Sequence, residues 1–176
     1  MNNERIIITG FMGSGKTTVA RDLARLLECE MTDLDEVIAS EELRAPWEII
    51  EADGEREFRE IETRVLESIL GSNGAQVISL GGGAWTLPRN RDLIRAQGAL
   101  TVWLDASFDL CWKRIQESGG NRPLAGTEAE TRALFDERLA SYKLADLSIN
   151  TQNKSTDEIA AEIVAKTTQA RATRQI

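Results

Sequence analysis

The chain has 176 residues, the size of one domain, and its 21 basic and 29 acidic side chains give a net charge of −8 at pH 7. This charge disfavours binding to nucleic acid or to an anionic membrane, since both need a positive field. The chain holds no histidine, which excludes a Ser–His–Asp triad, and its two cysteines cannot form a disulfide framework. We expect a single cytoplasmic domain over residues 1–176, without a signal peptide or membrane-spanning stretch.

Short apolar runs alternate with helical patterns along the chain. The run Arg5–Thr9 predicts a strand buried on both faces, and it is followed by glycines and then by a helix over about residues 16–27. Further strands and helices are predicted at Val77–Leu80, Ala99–Asp105, Ser107–Ile115, Leu147–Asn150 and from about Thr156. Strands that alternate with helices in this way indicate an α/β fold.

Two other stretches are typical of function more than of architecture. The segment of about residues 33–62 is predicted to be helical and carries many charges. The segment of about residues 117–130 contains Gly119, Gly120 and Gly126. Glycine-bearing segments between packed elements are typical of lids that close over a site. We expect a substrate-binding region in the first segment and a mobile lid in the second.

The residues Gly10–Thr17 read GFMGSGKT and match the pattern GxxxxGK[ST] between a strand and a helix. Glycines let backbone N–H groups wrap around phosphate oxygens, and the N-terminus of the following helix adds partial positive charge. Lys16 is expected to reach the β- and γ-phosphates, and the Thr17 hydroxyl to hold Mg²⁺. A glycine turn that fits by chance is disfavoured by the strand–helix context. The motif therefore predicts a nucleoside triphosphate bound with Mg²⁺.

An acidic pair, Asp33 and Asp35, stands where the second strand is expected to end. We expect Asp33 to hold Mg²⁺ through a water molecule, and Asp35 to orient or deprotonate an acceptor hydroxyl. The alternative is that the pair caps the following helix, since aspartate is a favoured N-cap residue. No NKxD element for reading guanine is present, which argues against a GTPase.

The acceptor side has two candidates in the middle of the chain. Arg59 follows Phe58 and precedes Glu62 by three positions, so that its guanidinium can be held as a fork for a carboxylate or phosphate. The alternative is a solvated helix salt bridge. The run Gly81–Gly83 follows a predicted strand, where bare backbone lets a compact ligand approach. Its alternative is a flexible turn.

Two more arginines follow later in the chain. Arg122 lies in the predicted lid, and on closure it would neutralise charge on the transferring phosphoryl group. Arg138 lies on the helix after the lid, one turn before Tyr142. For both arginines, an ordinary surface position is the alternative.

Taken in order, these motifs resemble those of the shikimate kinases. They are GFMGSGKT, Asp33-x-Asp35, Phe58-Arg59-x-x-Glu62, Ser79-Leu80-Gly81-Gly82-Gly83, Arg122-Pro123-Leu124 and Arg138-x-x-x-Tyr142, within about residues 6–165. The resemblance implies a P-loop, nucleoside-monophosphate-kinase-like fold, with a five-stranded parallel sheet flanked by helices and a mobile lid. It also implies a monomeric transferase that moves the γ-phosphate of ATP to the 3-hydroxyl of shikimate, on the route to chorismate and the aromatic amino acids.

The resemblance further implies roles for individual residues. The residues expected to bind shikimate are Asp35, Arg59, Gly81, Gly82, Gly83 and Arg138. The expected catalytic residues are Lys16, Asp35 and Arg122. The residues expected to bind ATP are Gly13, Ser14, Gly15, Lys16, Thr17, Thr18, Arg114, Arg122 and Lys154. Mg²⁺ is the expected cofactor, held by Thr17 and, through water, by Asp33.

The chain departs from the family pattern in three places. Ile50 stands where the family often has a phenylalanine that lines the substrate pocket. The spacing from Tyr142 to Asp146 is one residue shorter than usual. Lys154 stands where the family tends to have arginine. None of these positions belongs to the expected catalytic set.

Two other functions compete with this interpretation. A gluconate kinase would share the paired arginines for a carboxylate acceptor, but the triple glycine and the Arg-Pro-Leu motif fit shikimate better. A non-catalytic nucleotide-binding relative is the second alternative. It is disfavoured because Lys16, Asp35 and Arg122 are all present.

Overall fold

A computed structural model of the chain describes residues 5–118 and 126–174, with the side chains of the last helix as far as residue 169. The strands are β1 (Ile6–Thr9), β2 (Met31–Asp33), β3 (Val77–Ser79), β4 (Leu100–Asp105) and β5 (Leu147–Asn150). The helices are α1 (Lys16–Leu26), α2 (Leu34–Glu42), α3 (Pro46–Asp53), α4 (Glu55–Gly71), α5 (Pro88–Ala96), α6 (Phe108–Glu117), α7 (Glu128–Tyr142) and α8 (Thr156–Arg174). A 3₁₀ turn spans Ala84–Thr86.

The strands form one sheet in the order β2-β3-β1-β4-β5, and every neighbouring pair is parallel. On the central strand, Ile7 pairs with Ile78 on one side and with Thr101 on the other. This confirms the predicted five-stranded parallel sheet flanked by helices. Because the strands are parallel, their carboxyl ends meet at one edge of the sheet, where open α/β sheets bind ligands.

The three consecutive isoleucines of β1 supply both faces of the sheet, as their β-branched run predicts. Ile7 belongs to an apolar core that includes side chains of α4 and α7. Ile6 and Ile8 point to the opposite face and belong to a second core with side chains of α1 and α8. All three side chains are at most 2% exposed. Within the described residues, no helix is both long and apolar enough to cross a membrane.

The segment of residues 33–62 is largely helical, as predicted, and consists of α2, α3 and the first part of α4. Leu43 ends α2 with a left-handed φ of 53°, and Gly54 separates α3 from α4 with a φ of 92°. α4 then continues to Gly71, beyond the predicted end. The two breaks fold α2 and α3 back against α4, which places them beside the carboxyl edge of the sheet.

The predicted lid overlaps two helices at its ends. Glu117 is the last residue of α6, and α7 begins at Glu128 after an N-cap at Thr127. The Thr127 hydroxyl accepts a hydrogen bond from the Glu130 backbone N–H, which fixes the start of α7. Residues 119–125, with Arg122, lie outside the described part of the chain, so the mobile lid and the role of Arg122 stay predictions.

Candidate active site

One cavity of about 520 Å³ opens where β1, β2 and β3 end. Its lining combines residues of the phosphate loop with residues from the predicted acceptor side. The predicted site residues on this lining are Gly13, Gly15, Lys16, Thr17, Thr18, Asp33, Asp35, Arg59, Gly81, Gly82, Gly83, Arg114 and Arg138. The fold thus brings together residues that are distant in the sequence.

The phosphate loop between β1 and α1 is held by its own main chain. The Ser14 N–H donates to the Phe11 carbonyl at 3.1 Å, and the Lys16 ammonium donates to the same carbonyl at 3.0 Å. Gly13 has a φ of +79°, and a Cβ atom there would lie 2.6 Å from the Cys111 carbonyl oxygen. Only glycine fits this position, because the loop packs directly on the backbone of α6.

Asp33, the last residue of β2, has two partners. Its Oδ2 atom accepts a hydrogen bond from the Thr17 hydroxyl at 2.6 Å. Its Oδ1 atom accepts one from the Asp35 N–H at 3.0 Å and caps α2. The capping alternative therefore holds for Asp33, and it is compatible with the metal role because the other carboxylate oxygen faces Thr17.

The Thr17 hydroxyl and the Asp33 carboxylate fit Mg²⁺, which prefers oxygen ligands. Within the described residues, no three Asp, Glu, His or Cys side chains are close enough to form a metal cluster. A short donor set of this kind is typical of Mg²⁺ that arrives with substrate phosphates and keeps several waters.

Arg59 is held as a fork on α4, as the sequence spacing predicts. Its two Nη atoms donate to Glu62 and to Glu55, each at 2.8 Å, and its guanidinium lies 5.2 Å from the centre of the Phe58 ring. The Arg59 side chain is only 11% exposed and that of Glu62 is fully buried. The alternative of a solvated salt bridge is therefore wrong for the Arg59–Glu62 pair.

Glu62 is a member of the site that the sequence predicts only as the helical partner of Arg59. Burial raises the pKa of its carboxyl group to about 7, although the positive charges of Arg59 and Arg138 oppose the rise and Asp35 adds to it. Its Oε2 atom binds Arg59, while its buried Oε1 atom has no hydrogen-bond partner within the described residues. The signal in the sequence was the Arg59-x-x-Glu62 spacing.

The glycine run after β3 allows these charges to approach the main chain. A Cβ atom on Gly81 would lie 2.8 Å from Asp35 Oδ1 and 2.9 Å from Glu62 Oε1. A Cβ atom on Gly83 would lie 2.6 Å from the Cζ atom of Arg59. The flexible-turn alternative is therefore wrong: the missing side chains make room for two carboxylates and a guanidinium.

Arg138 reaches the same place from α7 and is only 6% exposed, so the surface alternative is wrong for this arginine. Its Nη1 atom is buried without a hydrogen-bond partner among the described residues. One turn later, the Tyr142 hydroxyl donates to the Gly82 carbonyl at 2.5 Å. Burial raises the pKa of Tyr142 to about 12, which keeps it a hydrogen-bond donor. A buried guanidinium with an unused N–H is suited to an anionic ligand.

Two of the residues expected to bind ATP, Arg114 and Lys154, lie in different surroundings. Arg114, on α6, lines the cavity, and its Nη1 atom donates to the Gly13 carbonyl at 3.2 Å. Lys154 donates to the Asn150 carbonyl at 2.9 Å and pairs with Glu162 at 2.6 Å, away from the described lining. The structure therefore brings Arg114 to the phosphate loop and does not bring Lys154 there.

The parallel sheet, the phosphate loop after its central strand and the charged pocket beside it define a phosphate-loop kinase of small molecules. A family model described as shikimate kinase matches residues 12–168. The chain is 41% identical over 161 residues to a shikimate kinase of Lactococcus lactis, covering 90% of this chain and 94% of that protein. It is 39% identical over 165 residues to one of Geobacter sulfurreducens, covering 92% and 90%.

A solved structure leads to the same family. The shikimate kinase from Acinetobacter baumannii in complex with shikimate matches with a TM-score of 0.88 and 32% identity, over 95% of this chain and 94% of that chain. The chain belongs to the shikimate kinase family. This confirms the resemblance, the fold class and the assignment as an ATP-dependent kinase.

Proposed function

We propose that the chain transfers the γ-phosphate of ATP to the 3-hydroxyl of shikimate, and so supplies shikimate 3-phosphate for the synthesis of chorismate and the aromatic amino acids. One observation carries the proposal: a single cavity joins the phosphate loop to a pocket with the guanidinium groups of Arg59 and Arg138, the carboxylate of Asp35 and the buried carboxyl group of Glu62. Shikimate offers a carboxylate for the arginines and hydroxyl groups for the carboxylate, at opposite edges of one small ring.

On the acceptor side, Arg59 and Arg138 bind the shikimate carboxylate and so fix the direction of the ring. The backbone of Gly81–Gly83 binds a ring hydroxyl at close range. Asp35, beside Gly81, accepts a hydrogen bond from the 3-hydroxyl and takes its proton during transfer. The hydroxyl oxygen forms a bond to the γ-phosphorus, the bond to the β–γ bridging oxygen breaks, and ADP leaves.

On the donor side, the backbone N–H groups of the loop bind phosphate oxygens, together with Ser14 and Thr18. Lys16 turns from the Phe11 carbonyl, to which it now donates, toward the β- and γ-phosphates. Thr17 and, through water, Asp33 would hold Mg²⁺, which when bound neutralises charge on the phosphates. Arg122, outside the described residues, is assigned to the transferring phosphoryl group, and Arg114 and Lys154 to the nucleotide.

We propose further that the chain acts in the cytoplasm as a monomer on small molecules, without a nucleic-acid or membrane partner. The net charge of −8 supports the absence of a nucleic-acid or anionic-membrane partner, because polyanions would be repelled. Size-exclusion chromatography with light scattering would measure the oligomeric state directly.

The test is to mix the purified chain with ATP and Mg²⁺ and to add shikimate, gluconate or no acceptor. We expect rapid ADP release only with shikimate, and a phosphate ester at its 3-hydroxyl in the ³¹P NMR spectrum of the product. Turnover with gluconate but not with shikimate would identify gluconate as the acceptor in place of shikimate. Release of ADP at one rate in all three mixtures would show that neither acid is the acceptor.

A further inference from the structure

The four tryptophans of the chain differ in what their rings contact. The indole N–H of Trp85 donates to a main-chain carbonyl at 2.9 Å. Trp103 and Trp112 each stack on another aromatic ring, with ring centres 6.2 Å apart. Within the part of the chain that the structure describes, Trp47 makes neither kind of contact. It lines the cavity instead.

The position of Trp47 on α3 separates it from the apolar core. Ile49, two residues later, is fully buried in the core beneath the sheet, and Ile50 packs against that core from its edge. Trp47 is half-buried and belongs to neither apolar core. A large aromatic surface that folding does not use, on the wall of a cavity, is suited to contact with a ligand.

The cavity lining combines two chemically different sets of side chains. Asp35, Arg59, Glu62 and Arg138 contribute charged groups to it, and Pro46, Trp47, Ile50 and Phe58 contribute apolar surface. Shikimate has a matching division, because its hydroxyl and carboxylate groups project from the edges of a ring whose two faces are apolar. An indole can cover such a face, whereas an open-chain polyhydroxy acid offers no flat face to it.

We propose that Trp47 packs its indole ring against the ring of the acceptor and makes the site select a cyclic acid over an open-chain one. This inference rests on the proposed function and names the residue that sets its substrate class. Ile50 lies one helical turn after Trp47 on the same side of α3, and both line the cavity. An aromatic side chain at position 50 can therefore fill part of the space that Trp47 fills.

The first test is kinetic. Trp47→Ala should raise the KM for shikimate about tenfold, the order expected for one aromatic contact, with kcat and the KM for ATP close to wild type. Trp47→Phe should keep most of the affinity. Adding Ile50→Phe to Trp47→Ala should recover part of the loss, which a purely structural role for Trp47 does not predict.

The second test uses the indole as a reporter. Titration with shikimate, without nucleotide, should change the tryptophan emission of the wild type and of the matched control Trp112→Phe. The change should be lost in Trp47→Phe, and this readout decides the matter if Trp47→Ala fails to fold. An unchanged shikimate KM in Trp47→Ala, or a shikimate-dependent emission change that persists in Trp47→Phe, would overturn the inference while the wild type still phosphorylates shikimate. A wild type that does not phosphorylate shikimate would instead overturn the proposed function.

Discussion

The phosphate loop and the acceptor pocket share one cavity but are built in different ways. The loop is a run of consecutive residues, Gly10–Thr17, that presents its main chain to the ligand. The acceptor pocket takes Asp35 from α2, Arg59 from α4, the glycine run from the end of β3 and Arg138 from α7. A site made of main chain can be encoded locally, whereas a site made of buried charges exists only after four elements have packed together.

The two regions should also fail in different ways. In the loop, binding strength is spread over several backbone N–H groups, so that no single side chain carries it. In the pocket, each buried charge acts through few partners in a medium where electrostatic interactions are strong. Single conservative substitutions in the pocket should therefore weaken shikimate binding or slow turnover and leave nucleotide binding intact.

The largest effect is expected from Asp35→Asn, which keeps the size of the side chain and removes its basic carboxylate. Turnover should fall by about 10²–10⁴-fold, the range for losing a general base, while Mg·ATP still binds. Asp33→Asn should instead raise the Mg²⁺ requirement, because Asp33 faces Thr17. The measurement is turnover of both variants across a Mg²⁺ titration. Rescue of Asp35→Asn by Mg²⁺, with no rescue of Asp33→Asn, would reverse the two roles.

The next effect concerns the arginines. Lysine keeps the charge and loses the planar fork, so Arg138→Lys should raise the KM for shikimate about 100-fold without changing the KM for ATP. Arg59→Lys should raise it less, about tenfold, because a lysine there can still pair with Glu62, whereas Arg138 has a buried Nη1 atom with no described partner. Arg95→Lys, on the exposed surface of α5, is the matched control. Near-wild-type kinetics for both pocket variants would refute the proposal that Arg59 and Arg138 bind the shikimate carboxylate.

The same division explains what could be predicted from the sequence. The strands, the alternation with helices and the phosphate loop follow from local patterns, and the structure confirms the fold. The spacing of Arg59 and Glu62 predicted their ion pair, because three positions on a helix bring side chains together. The depth at which this pair is buried could not be predicted, since it depends on how α2, the glycine run and the Arg138 side chain of α7 come together around it.

Two other features could not be predicted from local sequence patterns. The left-handed φ at Leu43 divides the helical segment, and leucine carries no local signal for that conformation. The burial of Arg138 rules out a surface position for it. Its place in the sequence could not distinguish a surface position from one in the site. For Arg122 and Lys154, the roles implied by the resemblance stay predictions.

A smaller effect on the KM for shikimate is expected from a substitution at Gly83, where the main chain lies against the Arg59 guanidinium. In Gly83→Ala the new methyl group would overlap the Arg59 guanidinium, whose Cζ atom lies 2.6 Å from the added carbon. Displacing this group should raise the KM for shikimate less than about tenfold, or by less than about 1.4 kcal/mol. Gly71→Ala, at the end of α4 with no atom within 4 Å of the added carbon, should leave the kinetics unchanged. Equal kinetics for the two variants would mean that shikimate binding does not need the close approach of the Arg59 guanidinium to the Gly83 main chain.

The smallest effect is a pH dependence of shikimate affinity that ATP affinity does not share. The Glu62 carboxyl, with its pKa raised by burial to about 7, faces Arg59 on its own helix, Asp35 from α2 and Arg138 from α7. A shikimate carboxylate bound between the two arginines adds negative charge near Glu62 and excludes water, so its pKa rises further in the complex. The complex then holds more protons than the free protein, and affinity must fall as pH rises through about 7. Between pH 6 and 8 the Kd for shikimate should increase by less than about tenfold, with proton uptake on binding seen by calorimetry in two buffers. Glu62→Gln should remove this pH dependence. The control Glu57→Gln, on the exposed side of α4, should keep it. A pH dependence that survives in Glu62→Gln would assign the titrating group elsewhere in the pocket.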